Sequence, residues 1–586
     1  MKRIPSFARS FRVLVRTIGL ASSLVIAAGC GNNPEILIGP GTSFSSNAGT
    51  GVASHQLSNE GVQTLHATLE ANKLAELNWP GFQRYKTEAK EFYAAFYDVL
   101  PWLQDSEPTP QALAMIEALK HADAKGLRPE DYDGPLWDGR VHSLHLEKSA
   151  PEGELIRFDV ALTISTMRYI LDLHLGRVNP HLFHFGLDVD HRNFDLSEFL
   201  RLELVNAKDV TTVLNSIEPP FPGYHRTIDA LNRYLALVAR DDGQLLRIPL
   251  KVMKPGDAYP EVALLESRLQ LLGDLAPQTA SSSLQPVYQG SVVAAVKHFQ
   301  ARHGLDPSGR IDAQTLKQLN TPFKRRVVQL QLTLERWRWM PHQFARPPIV
   351  VNIPEFRLHV VNEAYQSSLL MKVVVGRTFQ HRTPVFANQI KSVIFRPYWN
   401  VPLSIQRAEI LPHLAKDSSY LTKNSYEVVD QRGNVVSDGN ATETMMGYLQ
   451  SGKWSVRQKP GPENALGLVK FEFPNPYDVY MHGTPAQHLF ARSRRDFSHG
   501  CIRVEDPAAL AAWVLRDQPE WTTERIREAM DGDETLEVNL KNPIPVLILY
   551  GTAIVLENGE VQFFDDIYGY DADLERTLSA GRSDAN

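Results

Sequence analysis

The sequence predicts a multidomain α+β protein with a helical first part, a small three-helix module and a mostly β last part. The chain has 586 residues, which is too long for a single hydrophobic core. Apolar residues recur at three- and four-residue spacings before about residue 320, as they do in amphipathic helices. From Ile349 onwards, short runs rich in valine and isoleucine alternate with turn residues, which is typical of strands.

The composition places the chain among ordinary globular proteins. Hydrophobic residues make up 43% of it and charged residues 22%. The net charge of −6 is small for this length, so the overall field gives no reason to expect a nucleic-acid partner.

The N-terminus has the pattern of an export signal. A basic start precedes the short apolar run 18–28, which is too short to span a bilayer and is typical of a signal-peptide core. The following Ala27-Ala-Gly-Cys30 resembles a bacterial lipoprotein cleavage box, with Ala27 in place of the usual large aliphatic residue. We therefore expect a signal peptide over residues 1–29 and a lipid on Cys30; the alternative is a plain secretory signal with an incidental cysteine.

The lipoprotein resemblance also implies a location for the protein, and a lipid on Cys30 would leave a single free thiol. Gly31, not aspartate, follows Cys30, which favours anchoring to the outer membrane and hence a periplasmic protein. Residues 30–58 are rich in Gly, Ser and Asn and are expected to form a flexible tether. The only other cysteine is Cys501. A lone thiol in an exported protein is a candidate nucleophile.

Residues 59–250 are predicted to form a helical scaffold. Apolar residues at helical spacing predict helices over 89–100, 110–127 and 158–175. The histidines of this region are scattered, so we expect surface or hydrogen-bonded core residues there and no metal ligands.

Residues 256–320 predict three short helices. The first ends at Gly273, the second near Gly304, and the third begins at Ile311 after the turn 306–309. The pattern RLQLLG…VKHFQARHGLDPSGRIDAQTLKQLN resembles the small three-helix peptidoglycan-binding module.

A connecting helix is expected within residues 321–345. It should cover 327–339 and stop at Pro341. Its tryptophan-rich end is interpreted as a packing joint between domains.

The remaining chain is predicted to be mostly β, with a domain over 346–545 and completing strands over 546–586. Strands are expected at 349–353, 356–361, 369–375, 393–395, 479–481 and 546–550. Asn558-Gly559 predicts a hairpin turn. A long insertion, about 403–470, carries helical patterns of its own, and we interpret it as a lid over a cleft. We call it the capping insertion.

Several short motifs follow one another in this last part of the chain. They are Val375-Gly-Arg-Thr, Thr383-Pro384, Pro397-Tyr-Trp-Asn-Val-Pro402, Phe473-Pro-Asn475, Tyr480-Met-His-Gly-Thr-Pro485 and Ser498-His-Gly-Cys-Ile-Arg503. Together they resemble the L,D-transpeptidase catalytic domain. The likeness is to the large subfamily that has a helical scaffold, a peptidoglycan-binding module and a capping insertion, and it covers nearly all of the mature chain.

Cys501 and His482 are the predicted catalytic pair. Exchange of one peptide bond for another without ATP needs an acyl intermediate, and a thiolate is a suitable nucleophile near neutral pH. His482 is the predicted general base because imidazole titrates near the operating pH. The resemblance implies that a main-chain carbonyl holds the other ring nitrogen, and Gly483 or a neighbour is expected to supply it.

The residues around Cys501 are expected to shape the site. Backbone N–H groups at Gly500 and Cys501 are predicted to form an oxyanion hole. His499 has either a direct catalytic part or a structural one. Arg503 is predicted to bind a substrate carboxylate, with an ion pair to Glu505 or Asp506 as the alternative.

The rest of the predicted substrate-binding set is Ser498, Tyr480, Trp399 and Asn400. For the aromatic residues a purely structural core role is the alternative. Asp506 is expected to cap the helix that begins at Pro507.

The resemblance implies a peptidoglycan L,D-transpeptidase that forms 3-3 cross-links between tetrapeptide stems, with stem peptides and glycan as partners and no cofactor. Three alternatives use the same features. Water as the acceptor would give a carboxypeptidase or endopeptidase. A family variant attaches an outer-membrane protein to the wall, although the scaffold and capping insertion argue against it. A non-catalytic lipoprotein could tether the outer membrane to the wall. A metal site at His482, His499 and Cys501 does not match common zinc spacings.

Overall fold

The computed structural model describes residues 55–146, 150–189, 194–248, 251–277, 286–379 and 381–582. Cys30, the predicted signal peptide and most of the predicted tether lie outside these ranges, so lipidation remains a prediction. Among the described residues, no helix is both long enough and apolar enough to cross a membrane.

The first described region is helical, as the sequence predicts. Its α-helices are Asn59–Ala71, Lys86–Ala95, Pro110–Lys120, Trp137–Leu146, Glu152–Leu175, Leu196–Phe199, Val210–Ser216 and Pro222–Val238. Glu152–Leu175 is the central helix and is buried along most of its length. Its Asp159 accepts hydrogen bonds from the Tyr93 hydroxyl at 2.7 Å and from the Trp102 amide at 3.0 Å. The helix Lys86–Ala95 and the turn at Trp102 are thereby fixed to the central helix.

The three-helix module is confirmed. Its helices are Val262–Leu272, Ser291–Arg302 and Ala313–Leu319. Gly273 ends the first helix with φ +82°, a conformation that glycine adopts without strain. Leu265 and Val296, which the sequence places on the inner faces, are fully buried in the core of the module.

The connecting helix, Phe323–Arg338, is a central element of the structure. It packs against Pro222–Val238 on one side and against the C-terminal helix Tyr570–Ser579 on another. Trp339, just past its end, is buried beside the rings of Phe183 and Phe185. The aromatic end is therefore a packing joint, as the sequence indicates.

The strands of the last part form one sheet that closes on itself. In spatial order, the nine strands found among the described residues are Asp496–Ser498, Ser367–Gly376, Ile502–Val504, Met481–His482, Val469–Glu472, Phe386–Phe395, Leu536–Leu549, Ile349–Asn352 and Arg357–Val361. An additional antiparallel pairing joins Arg357–Val361 to Ser367–Gly376. The sheet is therefore a barrel, with Asp496–Ser498 attached outside the closed ring.

The observed strands are longer than predicted where the chain crosses the barrel core. Leu536–Leu549 extends ten residues upstream of the predicted start and runs across the expected domain boundary at 545. Its partner Phe386–Phe395 pairs with it over most of that length. Pairing with a long neighbour extends both strands beyond their valine- and isoleucine-rich parts.

The capping insertion contains a sheet as well as helices. Its helices are Leu403–Ile405, Leu411–Lys416, Tyr420–Lys423 and Glu443–Ser451, with a π-helical turn at Gln406–Ile410. Its strands, in spatial order, are Ser455–Gln458, Tyr426–Val429 and Val435–Ser437, and Trp399–Asn400, just before the insertion, adds an edge strand beside Ser455–Gln458. The sequence predicts the helices but not this sheet. Buried residues such as Leu449 and Val456 give the insertion a core of its own.

The C-terminal part combines a hairpin and a helix. The predicted hairpin is Ala553–Val555 with Val561–Phe563. The helix Tyr570–Ser579 is not predicted by the sequence. It is held to the connecting helix by the buried ion pair between Arg336 and Asp571, 2.6 Å apart. Two further helices, Pro507–Val514 and Thr523–Asp531, complete the fold.

Candidate active site

Two short parallel strands bring the predicted catalytic residues together. Met481–His482 pairs with Ile502–Val504 so that His482 lies opposite Arg503. Cys501 immediately precedes the second strand, and the Ile502 amide donates to the Tyr480 carbonyl at 3.0 Å. Because alternate residues of a strand point to the same face, this register places Tyr480, His482, Cys501 and Arg503 on one face.

His482 is buried and has a defined tautomer. Its side chain is 4% exposed, and Nδ1 lies 2.6 Å from the carbonyl oxygen of Gly483. A carbonyl oxygen only accepts, so Nδ1 carries the proton and Nε2 has the lone pair. Burial, and then the positive charge of Arg503, lower the His482 pKa to about 3. The imidazole is therefore neutral at neutral pH.

Cys501 is a protonated thiol in the described conformation. Burial raises its pKa, and hydrogen bonds from the Tyr480 backbone and hydroxyl oppose that rise. The Trp399 side chain lowers the pKa of the Tyr480 hydroxyl, against the larger rise that burial causes. Sγ donates weakly to the carbonyl oxygen of Asp478, at 3.8 Å. Within the described ranges no hydrogen bond joins Sγ to His482, so the pair consists of a neutral thiol and a neutral imidazole.

The loop before Cys501 is held by its own side chains. The Ser498 hydroxyl donates to the Cys501 carbonyl at 2.6 Å and accepts from the Gly500 amide at 3.1 Å. Gly500 has φ +121°, which strongly favours glycine. The Gly500 amide, a predicted oxyanion donor, is thus engaged with Ser498. The Ser498 hydroxyl serves the loop itself, which favours a positioning role over the predicted contact with substrate.

A second support for this loop was missed by the sequence analysis. The Thr383 hydroxyl donates to the Gly500 carbonyl and accepts from the Gly376 amide, both at 2.8 Å. The Tyr568 hydroxyl donates to the Gly376 carbonyl, at 2.5 Å. Thr383 stands in a motif that the sequence singled out, so that motif was the available signal. No sequence pattern marks Tyr568, which comes from the C-terminal part.

The His499 side chain contacts Arg377 and the capping insertion. Its Nε2 lies 2.6 Å from Arg377 Nη2 and 2.7 Å from Glu409 Oε1. The His381 ring stands edge-on to it, 4.8 Å between centroids. Burial and the Arg377 charge lower the His499 pKa, and the Glu409 carboxylate opposes them. The sequence analysis assigned no role to Arg377, His381 or Glu409.

Arg503 has neither of the ion pairs considered as alternatives. The Glu505 carboxylate forms an ion pair with Lys372, with 3.2 Å between Oε1 and Nζ. The Asp506 carboxylate caps the next helix by accepting a hydrogen bond from the Ala509 amide at 2.9 Å. The Arg503 Nε is buried and has no hydrogen-bond partner among the described residues. Arg503 is therefore a cation on the same face as Cys501, and the predicted cap role of Asp506 is confirmed.

Trp399 and Asn400 form the edge strand of the insertion sheet. They pair with Gln458 and Arg457. The Lys470 ammonium lies 4.2 Å from the centroid of the Tyr480 ring, which stands 5.6 Å from the His482 ring. Because Trp399 also affects the pKa of Tyr480, this edge of the insertion sheet lies near the catalytic face. In the described part of the chain, no cluster of three or more His, Cys, Asp or Glu side chains is arranged to hold a metal ion.

Comparison with known protein families defines the class of each domain. Residues 346–545 match the L,D-transpeptidase catalytic domain (YkuD), residues 87–231 match a scaffold domain, and residues 258–319 match the putative peptidoglycan binding domain. The barrel with Cys501 and His482 is therefore the part of the chain that matches the L,D-transpeptidase catalytic domain. The chain carries this domain together with a scaffold domain and a peptidoglycan-binding domain, as the sequence motifs implied.

One curated relative is similar to part of the chain. A Haemophilus influenzae protein named "Putative L,D-transpeptidase" is 34% identical over 230 residues, which is 39% of this chain and 45% of that protein. The match therefore spans less than half of the relative's length. A solved L,D-transpeptidase (Yku) from Stackebrandtia nassauensis is 14% identical, covering 52% of this chain and 97% of that one, with a TM-score of 0.20. That likeness is too low to bear on the fold.

Proposed function

We propose that this protein is a peptidoglycan L,D-transpeptidase that transfers an acyl group through a thioester on Cys501. The observation that carries the proposal is the tautomer of His482. With its Nδ1 proton directed to Gly483 at 2.6 Å, Nε2 is a base on the same face as the Cys501 thiol.

The first half-reaction releases the terminal D-alanine of a tetrapeptide donor. Cys501 Sγ attacks the carbonyl carbon of the third residue, and its proton passes to His482 Nε2. The C–N bond to D-alanine then breaks, and His482 returns the proton to the leaving amine. The neutral thiol and neutral imidazole at rest are the correct starting states, because no proton has to be moved before substrate binds.

The second half-reaction forms the cross-link. The side-chain amine of the third residue of a neighbouring stem attacks the thioester and gives a proton to His482 Nε2. The C–S bond breaks and the sulfur recovers that proton, which restores the thiol. The product is a 3-3 cross-link, and the energy of the original peptide bond is kept in the thioester.

The domains outside the barrel support delivery of the substrate. The peptidoglycan-binding domain fits a role in holding glycan near the barrel. Trp399, on the edge strand of the insertion sheet, affects the pKa of Tyr480, which supports a role for the insertion in excluding water from the thioester. We further propose that Cys30 is lipidated and anchors the protein to the outer membrane, facing the periplasm.

The proposal is tested by incubating the purified protein with disaccharide-tetrapeptide and identifying the products by mass spectrometry. A dimer that has lost one D-alanine, with fragmentation placing the link between third residues, is expected. Cys501→Ala should give no product while still binding sacculi. A tripeptide alone would establish a carboxypeptidase instead. No reaction with either peptide or a thiol-directed acylating agent would favour a non-catalytic wall tether.

A further inference from the structure

The capping insertion reaches the catalytic loop through one carboxylate. Glu409 lies on the π-helical turn Gln406–Ile410, and its Oε1 is 2.7 Å from Nε2 of His499. His499 is two residues before Cys501 and lies on the loop that Ser498 and Thr383 hold in place. The position of the insertion is therefore coupled to the loop that carries the candidate nucleophile.

Two groups compete for the same ring nitrogen. Arg377 can only donate, so its 2.6 Å contact with His499 Nε2 requires the lone pair of that nitrogen. Glu409 only accepts, so its contact requires a proton there. Both contacts cannot be satisfied at once. When the Glu409 carboxylate moves away, the hydrogen bond from Arg377 to His499 Nε2 can replace the hydrogen bond from His499 Nε2 to Glu409.

The surroundings of this nitrogen are cationic. Arg377 is exposed, and in the described ranges no carboxylate lies within ion-pair distance of it. Its charge also acts on Arg503, which shares the face of Cys501. The neighbouring anion Glu472 is already paired with Lys470. Glu409 is thus an exposed carboxylate placed beside a set of positive or protonatable groups.

We infer that Arg377 and His499 form a carboxylate-binding subsite beside Cys501, and that Glu409 of the capping insertion occupies it until a substrate carboxylate takes its place. This inference rests on the proposed function, because stem peptides carry free carboxylates close to the carbonyl that reacts. The guanidinium of Arg377 offers two parallel N–H donors, which match a carboxylate.

Displacement of one carboxylate by another explains how the site selects its ligand. The incoming group replaces an anion in a site already arranged for one, so little additional desolvation opposes the exchange. A neutral peptide cannot compensate for the lost Glu409 contact and leaves the insertion in place. The ligand class is therefore a peptide with a free carboxylate near its scissile bond.

The subsite is tested by alkylating Cys501 with iodoacetate and iodoacetamide, which are similar in size and differ in charge. The full chain is used, and peptide mass spectrometry separates labelling at Cys501 from labelling at Cys30. Both reagents need the same thiolate, so the ratio of their rates cancels any change in the Cys501 pKa. The ratio reports how well the site accepts a carboxylate.

Glu409→Gln is expected to raise the ratio of the iodoacetate rate to the iodoacetamide rate roughly fivefold. This is the effect of removing a repulsion of about 1 kcal/mol between a nearby negative charge and the iodoacetate carboxylate. Arg377→Gln should lower the ratio by a similar factor. Glu443→Gln, an exposed carboxylate elsewhere on the insertion, should leave it unchanged. Glu472→Gln controls for the general field, because its charge also acts on Cys501. Equal rises for Glu409→Gln and Glu472→Gln with no effect of Arg377→Gln would overturn the subsite.

A kinetic measurement separates a binding role from a purely structural one. Glu409→Gln should lower KM several-fold for a tetrapeptide donor with free carboxylates. It should leave KM unchanged for the same tetrapeptide with its carboxylates converted to amides, with kcat similar for both donors. Glu409→Asp should restore the wild-type KM. A fall in kcat for both donors would mean that Glu409 only positions His499.

Failure of the subsite and failure of the proposed function give different results. Alkylation requires a thiol and no acyl transfer. Ratio changes without any peptide product would keep the subsite and reject transpeptidation. Product formation with an unchanged ratio in both variants would reject the subsite alone.

Discussion

His482 Nδ1 and the carbonyl oxygen of Gly483 are 2.6 Å apart, and this contact between adjacent residues sets the chemistry of the site. It fixes the proton on Nδ1 and leaves Nε2 as the only basic atom of a ring that is 4% exposed. Gly483, directly after His482, also avoids close contacts that a side chain would make at this position. A Cβ at Gly483 would lie 3.3 Å from Pro507 and 3.4 Å from the Leu466 carbonyl.

His482→Ala should abolish cross-linking while leaving a reactive thiol. General acid–base catalysis by a positioned side chain contributes about 10²–10⁴-fold, so the rate of dimer formation should fall by that order. The variant is assayed with disaccharide-tetrapeptide by mass spectrometry. Its Cys501 should still react with iodoacetamide at high pH, and a thermal unfolding midpoint close to that of the wild type shows that the fold is retained. Loss of less than tenfold in dimer formation would assign the base elsewhere.

The rate of Cys501 alkylation by iodoacetamide should rise with pH through a transition above the ordinary thiol range. Burial raises the Cys501 pKa, so the reactive thiolate is scarce at pH 7 and accumulates as the pH increases. Tyr480→Phe removes a hydroxyl that stabilises the thiolate and should move the transition to still higher pH. A rate that is already constant below pH 8 would instead indicate a thiolate–imidazolium pair at rest.

Thr383→Val should loosen the loop that carries Cys501. The variant keeps the shape of the side chain but leaves the Gly376 amide and Gly500 carbonyl without their partner, at a cost of about 1–3 kcal/mol. Thermal unfolding should show a lower midpoint, and cross-linking should slow. Thr321→Val is the matched control, since its hydroxyl bonds only to the Lys317 carbonyl on an exposed helix end. Equal effects of both variants would contradict a specific role for Thr383.

Asp159→Asn should change how the stability of the scaffold depends on pH. Burial raises the Asp159 pKa from 3.8 to about 7. The folded state therefore holds a proton that the unfolded state has released, and stability falls as pH rises from about 4 to 7.

Asparagine does not titrate, so the variant should lose this component of the pH dependence. Urea unfolding at pH 5 and pH 8 measures the change in the free energy of unfolding for each protein. If the free energy of unfolding changed by the same amount between pH 5 and pH 8 in the two proteins, Asp159 would be ionised in the folded state at both pH values. Asp98→Asn, at a less buried carboxylate of the same scaffold, is a suitable comparison.

Much of the architecture could be predicted from the sequence because its signals are local. Periodic apolar residues predicted the helices of the module, and Gly273 predicted where the first one ends. The strand-rich segments were located but made too short, since Leu536–Leu549 owes its length to pairing with Phe386–Phe395. The insertion sheet and the helix Tyr570–Ser579 were missed because they depend on partners far away in the chain.

The sequence by itself determined the domain order, the candidate nucleophile Cys501 and its candidate base His482, since these follow from motifs within a few residues. Only the tertiary structure decided what surrounds them. Thr383 reaches Gly500 across 117 positions, and Glu409 reaches His499 across 90. Such contacts arise when the barrel closes and the insertion folds back, and no local pattern records which side chains then meet.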